Sequence, residues 1–596
     1  MNHPATSRGP LPAGGDPGSS VPMPAPRWRK ALTPSNMLAL VLLLGSLGVS
    51  LWKVSFGERA QHGSDASIVR IAHWQLELGY RDALQSVIEA YNRLQEERFA
   101  RGEVSRRVRV EQLPVSEKTY GQLINTHLIA GTAPDIIEMG KAGMISGAYK
   151  AQFFANLSSE IERPNPYNAS EYLPKDLDPD FARAMPGMPW RETFVDGLAG
   201  GFDRDLQGYY AIPTTFIPWN RYAVNIDLLQ EATGSDVLPR TLGEFLRACE
   251  QMRELGRKRG RDIFPIAGSS YSVGFYNNYI VPFMAQEQGK LDADRDGKVT
   301  MAEALHGLQI KAWSLDQPAL RNLIEAVGAI AGFFPNGFLG MDREAAMLMF
   351  TQQQSGFFYC GAWDAGTIYR LAKGKFRVGI IVAGLPGANE PWGPLHGVNE
   401  ASMKAECAFG INKTGSNVEY ATDFLRFWTS LQQNQRFNEA ADWVPCIIGS
   451  RLRPHMAAFA PQIEGFANDS AWLFTWGSGG QLSTVFDGKI QAVMTGRADA
   501  QEVIAALTDA CAHPNYGISA VIADRVLDAA RAGERNAERG IAGQALAQLL
   551  RPDSAAPMVN YVSMVSGQAQ LLNGNAALAS MRCLERSLQV QESSHE

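Results

Sequence analysis

Between residues 68 and 138 the spacing of apolar residues switches repeatedly between two periods, and this alternation constrains the fold more than any other feature of the chain. Ile68 to Trp74 reads as a strand. Leu84, Val87, Ile88 and Tyr91 then recur at helical spacing on one face. Val108 and Val110 alternate with polar residues, the period-two pattern of a strand. A second helix carries Tyr120, Leu123, Ile124 and Leu128 and stops at Ala130-Gly131-Thr132-Ala133-Pro134, where Gly and Pro combine. Asp135-Ile136-Ile137-Glu138 reads as a buried strand. The order β-α-β-α-β predicts an α/β protein with a parallel sheet covered by helices.

The chain has 596 residues, too many for one hydrophobic core, so two large lobes or more are expected. Two later helices announce their starts with capping boxes. Thr241 with Glu244 precedes Leu242, Phe245, Leu246 and Cys249, and Ser416 with Glu419 precedes Ala421, Phe424, Leu425 and Trp428. Tyr209 to Ile212, Val378 to Val382 and Cys407 to Ile411 read as strands. No solenoid-type repeat is visible. With a net charge of −6 the chain has no basic field for nucleic acid. Its six cysteines are scattered, with neither CxxC nor metal-like spacing, and read as small buried apolar residues.

The N-terminus carries a membrane signal. Residues 1–36 are rich in Pro, Gly and Ser and are expected to be a disordered leader containing Arg27, Arg29 and Lys30. Met37 to Trp52 follows without a charge. This length is near the lower limit for a transmembrane helix and long for a signal-peptide core. Basic residues ahead of it predict that the remainder is exported. No small-x-small cleavage site follows, which favours an uncleaved anchor over residues 37–56 rather than a cleaved signal. No cysteine precedes Cys249, which argues against a lipid anchor. The expected location is the periplasmic or extracellular face of the cytoplasmic membrane.

Several segments, in order, resemble the bacterial sugar-type ABC-transporter solute-binding proteins, the maltose-binding-protein-like group. Leu128-Ile-Ala-Gly-Thr-Ala-Pro-Asp-Ile-Ile137 is similar to the family's L-x-A-G-T-x-P-D-I segment. Tyr210-Ala-Ile-Pro213, with Trp219 to Asn225 and Leu228-Leu229, resembles its first passage between lobes. Pro239-Arg-Thr241 resembles the P-x-T-x-x-E-F helix start, Gly361-Ala-Trp363-Asp364 the G-x-W segment, and Phe409 to Phe427 the A-x-x-F-L-x-F region. The resemblance spans residues 68–515. It implies a two-lobed type II periplasmic-binding-protein fold, each lobe a sheet flanked by helices. The first lobe would take 68–213 and 386–445, and the second 216–384 and 446–535. Residues 536–596 would form a helical C-terminal extension. The implied ligand is a carbohydrate, mono- or oligosaccharide, captured in the interlobe cleft, and the implied partner an ABC permease.

A sugar presents apolar C–H faces and a polar rim, so its site needs aromatic platforms and planar polar groups. Loops at the carboxyl ends of parallel strands are where such groups converge. Trp74 and Glu77 follow the first strand and Glu138 the third. Trp219 and Asn220 lie at the first crossover. Trp363 and Asp364 follow a Gly-rich turn, and Trp363 stands at the family's stacking position. Trp392, His396 and Asn399 lie in a Gly/Pro-rich loop, and Trp443 precedes Pro445. Core positions compete for these residues: Trp313, Trp428 and Trp472 read as core, Asp135 as structural and His396 as a loop-packing residue as much as a contact. No catalytic residue is assigned. A membrane-tethered carbohydrate-active hydrolase would also use aromatics and two carboxylates, and a tethered ligand sensor is a further alternative. HExxH, GxSxG, GxGxxG and GxxxxGK[ST] are absent.

Residues 292–303 read Asp-Ala-Asp-Arg-Asp-Gly-Lys-Val-Thr-Met-Ala-Glu and fit the EF-hand pattern D-x-D-x-D-G-x5-E. Calcium prefers about seven oxygens. Asp292, Asp294 and Asp296 would supply side-chain oxygens, Lys298 its backbone carbonyl, Thr300 a direct or water-mediated contact and Glu303 both carboxylate oxygens. Gly297 permits the sharp turn, and Val299 stands where such loops turn an apolar residue to the core. The expected cofactor is a structural Ca2+.

Overall fold

The computed structural model describes residues 66–75, 79–140, 147–203, 206, 208–291, 299, 307, 310–399, 405–460 and 481–517. Residues 37–56, Glu77, the calcium-loop residues other than Val299, Trp472 and residues 536–596 lie outside the described residues. Among the described residues no helix is long and apolar enough to cross a membrane.

Strand β1 (Ala66–His73) leads into the helix Tyr80–Ala100. The apolar stripe of that helix is buried at Leu84, Val87, Ile88 and Tyr91, the four residues whose spacing predicted it. Strand β2 (Arg107–Pro114) buries Val108 and Val110 and exposes Arg107 and Arg109. The helix Glu117–Ala130 ends on Gly131, which adopts φ 70°, a left-handed cap that glycine accepts without a Cβ clash. Strand β3 (Ile136–Glu138) follows, fully buried and parallel to β1. Asp135 ties this corner together, accepting Arg70 N–H at 2.8 Å and Asn417 Nδ2 at 3.1 Å.

A stretch of short 3-10 turns leads to the ribbon of β4 (Phe202–Asp203) and β5 (Gly208–Tyr209), then β6 (Ile212–Thr215). Here the chain crosses to a second sheet. Strands β7 (Arg221–Asn225), β8 (Phe264–Ala267), β9 (Ser355–Cys360) and β10 (Val378–Val382) are ordered β10-β7-β9-β8, with β8 parallel to β9 and β7 antiparallel to both neighbours. The chain then returns as β11 (Glu406–Ile411), which inserts antiparallel between β3 and β6. The first sheet thus reads β2-β1-β3-β11-β6.

Period-two alternation divides the second sheet's side chains. Tyr222, Val224, Phe357 and Tyr359 enter a core with Phe245, Leu323 and Ile324. Ala223, Phe358 and Cys360 face the other way, into a core shared with Ile212 and Phe409 of the first and with the helical Trp428. Trp313 and Trp428 are both fully buried. The helix Leu242–Arg259 begins with its capping box formed, Thr241 and Glu244 each accepting the other's backbone N–H. The expected box at Ser416 does not form. The helix there is Val418–Trp428, starting at Asn417 without a side-chain cap, and the Asn417 amide nitrogen donates to Ile68 O and Asp135. Cys249, Cys360, Cys407 and Cys446 are buried and unbridged, and Cys511 is half-buried and unbridged.

Candidate functional site

The carboxyl ends of β1 and β3 converge on one carboxylate. Glu138 is fully buried; its Oε2 accepts the Trp74 backbone N–H at 3.0 Å, and its Oε1 accepts the Gln75 side-chain amide and the Cys407 thiol. Burial, reinforced by the Glu138 charge, pushes the Cys407 thiol well above its ordinary pKa, so it stands as a protonated donor at 3.4 Å. Tyr120 donates to the Glu138 and Ala72 carbonyls, and its ring meets Trp74 edge-on with centroids 4.9 Å apart. Trp74 is half-buried, with its indole ring against Gly140. Glu138 therefore fixes the loop that carries Trp74.

The same network continues inward. The Tyr80 hydroxyl lies 3.5 Å from Cys407 Sγ, and its ring packs on Trp443 at 4.9 Å. Trp443 is 3% exposed within the shared core and presents no open face to a ligand. The expectation that it lies in the cleft gives way to packing, since Tyr80, Phe437 and Val444 surround its position in the core.

At the second sheet, Trp363 lies in the first turn of the helix Ala362–Ala372, which follows β9. Its ring is half-buried and stands nearly perpendicular to Tyr271, with centroids 6.5 Å apart. Tyr271 follows β8 and is 50% exposed. The Arg343 guanidinium lies 5.5 Å from the Tyr271 ring and 5.8 Å from the Trp363 ring, within cation–π range of both. Asp364 is buried beneath them; one oxygen binds Arg343 and the other accepts the Gly361 N–H at 3.1 Å. Asp364 positions this wall, while the rings and the guanidinium form its surface.

The two crossings between the sheets meet at Asn220 and Asn399. Asn220 is fully buried at φ 69° and donates its amide to the Asn399 carbonyl at 3.0 Å. Trp219, half-buried, precedes it, and its carbonyl accepts from Arg221 at 3.1 Å. Trp392 goes elsewhere: it packs against the second-sheet core, and its indole N–H donates to Glu325 at 3.0 Å. His396 is exposed. Among the described residues no group of three or more His, Cys, Asp or Glu side chains could hold a metal ion.

The structure thus forms a first-sheet group of Trp74 and Glu138, a crossover group of Trp219, Asn220 and Asn399, and a second-sheet group of Trp363 and Asp364. Gln75, Cys407, Tyr271 and Arg343 belong to these groups but escaped the sequence reading. Tyr271 had a usable signal, its place just after the carboxyl end of a parallel strand, but that strand is only four residues long. Arg343 had none: it comes from a helix start, Arg343–Thr351, far in sequence from both rings.

Two sheets built from interleaved segments of one chain, with polar and aromatic groups at the strand ends beside the crossings, define a mixed α/β protein. The family of bacterial extracellular solute-binding proteins matches residues 97–460, more than half of the chain, and this protein belongs to that family. The apo form of RafE from Streptococcus pneumoniae is a similar solved structure, at 17% identity and a TM-score of 0.50, covering 74% of this chain and 97% of that one. At that identity the likeness speaks for the fold. A chitin oligosaccharide binding protein (15% identity, TM-score 0.49, covering 75% and 98%) and RafE in complex with raffinose (17%, 0.48, 74% and 98%) are also similar. No curated protein matches the chain in sequence.

Proposed function

We propose that this solute-binding protein captures a carbohydrate between its two sheet-bearing lobes and hands it to an ABC permease. The observation that carries the reading is the wall made by Tyr271, Trp363 and Arg343. Rings offer faces for sugar C–H groups, and a guanidinium held by Asp364 offers donors for hydroxyls. Trp74, on the loop fixed by Glu138, supplies a ring from the other lobe, with Trp219 and Asn220 at the crossing between. Glu138 and Asp364 are each occupied by donors of the protein itself, an arrangement that suits positioning rather than proton transfer to a glycosidic oxygen. Calorimetric titration with a panel of mono- and oligosaccharides tests the reading. Saturable binding without turnover of the sugar supports it; hydrolysis products, or no binding across the panel, overturns it.

The exported location follows from the family, and residues 37–56 are proposed as the anchor. Their charge-free core and the basic leader support this. Protein that stays with membranes through a salt wash agrees, whereas a mature soluble form beginning near residue 60 rejects it.

Residues 292–303 are proposed to hold one structural Ca2+. The supporting observation is Val299, 1% exposed and part of the second-sheet core, at the place in the loop where the EF-hand pattern turns an apolar residue inward.

A further inference from the structure

The two main sheets end in four edge strands, β2 and β6 in the first and β10 and β8 in the second. An edge offers unpaired backbone groups to other molecules unless something blocks it. Three of the four are blocked. On β2, Val110 N–H donates to Asn92 Oδ1 at 2.8 Å, and Val110 O accepts Asn92 Nδ2 at 3.1 Å. On β6, Pro213 has no N–H, and the Thr214 carbonyl accepts the side-chain amides of Asn434 and Asn438. On β8, Pro265 likewise has no N–H, and Ile266 N–H donates to the Phe333 carbonyl at 3.3 Å.

Strand β10 has no such guard. Ile226 N–H donates to Arg377 O and Ala383 N–H to Asn220 O, so the odd-numbered residues of β10 bond β7. The N–H and C=O of Val378, Ile380 and Val382 therefore point away from β7, and they make no hydrogen bond among the described residues. The strand reads Val-Gly-Ile-Ile-Val, with neither proline nor charge. A cavity of about 580 Å3 opens beside its C-terminal half, with Leu238, Pro239, Val382 and Leu385 in its walls. The turn leading into β10 is basic. Arg370, Lys373 and Lys375 are exposed, their side chains enter no ion pair among the described residues, and no acidic residue occurs between Asp364 and Glu390.

We propose that β10 is a docking edge, accepting an extended, acidic-ended segment of another polypeptide as a further strand of the second sheet. The outward groups of Val378, Ile380 and Val382 would supply its main-chain bonds. Running antiparallel, the segment would set an aliphatic side chain in the cavity and, towards its C-terminus, carboxylates beside Lys373 and Lys375. A second copy of this chain paired edge to edge about Ile380 would set Leu385 and Gly387, not carboxylates, against that turn.

The test is fluorescence-anisotropy titration of the full chain with a labelled peptide, Thr-Val-Ile-Val-Thr-Glu-Glu, blocked at both ends. It should bind. N-methylation of its alternate backbone nitrogens should weaken binding by about tenfold or more, in the register that faces the edge. V382P removes an outward N–H that β7 does not use, so it should keep the parent's melting temperature and lose about as much affinity. K375E should bind this peptide more weakly than the parent does, yet hold a version with Gln for Glu as the parent holds it. No binding to the unaltered protein, or binding indifferent to N-methylation, overturns the proposal, and the N-methylated peptides decide alone if V382P does not fold. Equal losses of both peptides in K375E overturn the choice of an acidic segment. Dimerisation of the unaltered protein that V382P abolishes would give the edge to a second copy and overturn the proposal as well.

Discussion

Asn220 donates its side-chain amide to the backbone carbonyl of Asn399 at 3.0 Å, so the two passages of the chain between its sheets are tied to each other at one point. Asn220 also holds φ at 69°, a left-handed conformation that asparagine and glycine accept more readily than other residues. The two demands separate by mutation. N220A loses the bond and adds backbone strain, for an expected loss of about 2–3 kcal/mol in folding stability. N220G loses the bond but relieves the strain, and should cost less. Urea unfolding of both variants checks the order, and equal losses would show that φ is not under constraint.

Trp363 and Tyr271 should matter to ligand and little to folding. Removing either ring, in W363A or Y271A, should weaken carbohydrate binding by about 1–3 kcal/mol, roughly tenfold or more, with a melting temperature near that of the parent. The double variant should lose less than the sum of the two, since the rings flank one guanidinium. A W363A protein that fails to fold would place Trp363 in the core instead.

His73 ties stability to pH. Burial lowers its pKa to about 4, below the 6.5 of an exposed imidazole, against a smaller opposing pull from its contact with Gln112. The unfolded chain therefore takes up the proton first as pH falls. Its contribution is complete above pH 6.5, declines as pH drops from there and is lost once pH passes about 4. The total is on the order of 3 kcal/mol. Urea unfolding at pH 7 and at pH 4.5 should show the decline, and H73Q should remove part of the difference. An unchanged pH profile in H73Q would assign the acid limb to other groups.

Calcium should raise the melting temperature of protein first stripped with chelator, because an ion that binds only the folded state stabilises it by mass action. E303Q and D292A should abolish the rise. The absence of any shift at millimolar calcium in the parent protein would reject the loop as a cation site.

How legible this protein was depends on the range over which its physics acts. The stripe of Leu84, Val87, Ile88 and Tyr91 and the alternation of Val108 with Val110 are local patterns, and each corresponds to one buried face. The cap at Thr241 is local too and forms, whereas the helix expected to start at Ser416 starts at Asn417, whose amide nitrogen bonds Ile68 and Asp135, partners far away in sequence. The site residues divide in the same way. Trp363 and Glu138 sit next to readable strand ends. Trp443 and Trp392 look equivalent in sequence, yet one is enclosed beside Tyr80 and the other is bound to Glu325. Nothing near a tryptophan in the chain states which neighbours will close over it. Arg343 and Cys407 enter the site entirely through tertiary contacts.

The position of β11 has a consequence for how the chain is made. It lies between β3 and β6, yet it is synthesised after every strand of the second sheet. A chain built from its N-terminus forms β1, β2 and β3 early, but β3 and β6 then wait with open backbone edges, the kind of surface that recruits strands from other molecules. The sheet that begins first is therefore completed last. Its closing contact is also among the most distant in sequence, which slows folding and prolongs exposure of those edges. A chain halted before Glu406 would hold a finished second sheet beside an unfinished first one, prone to aggregate.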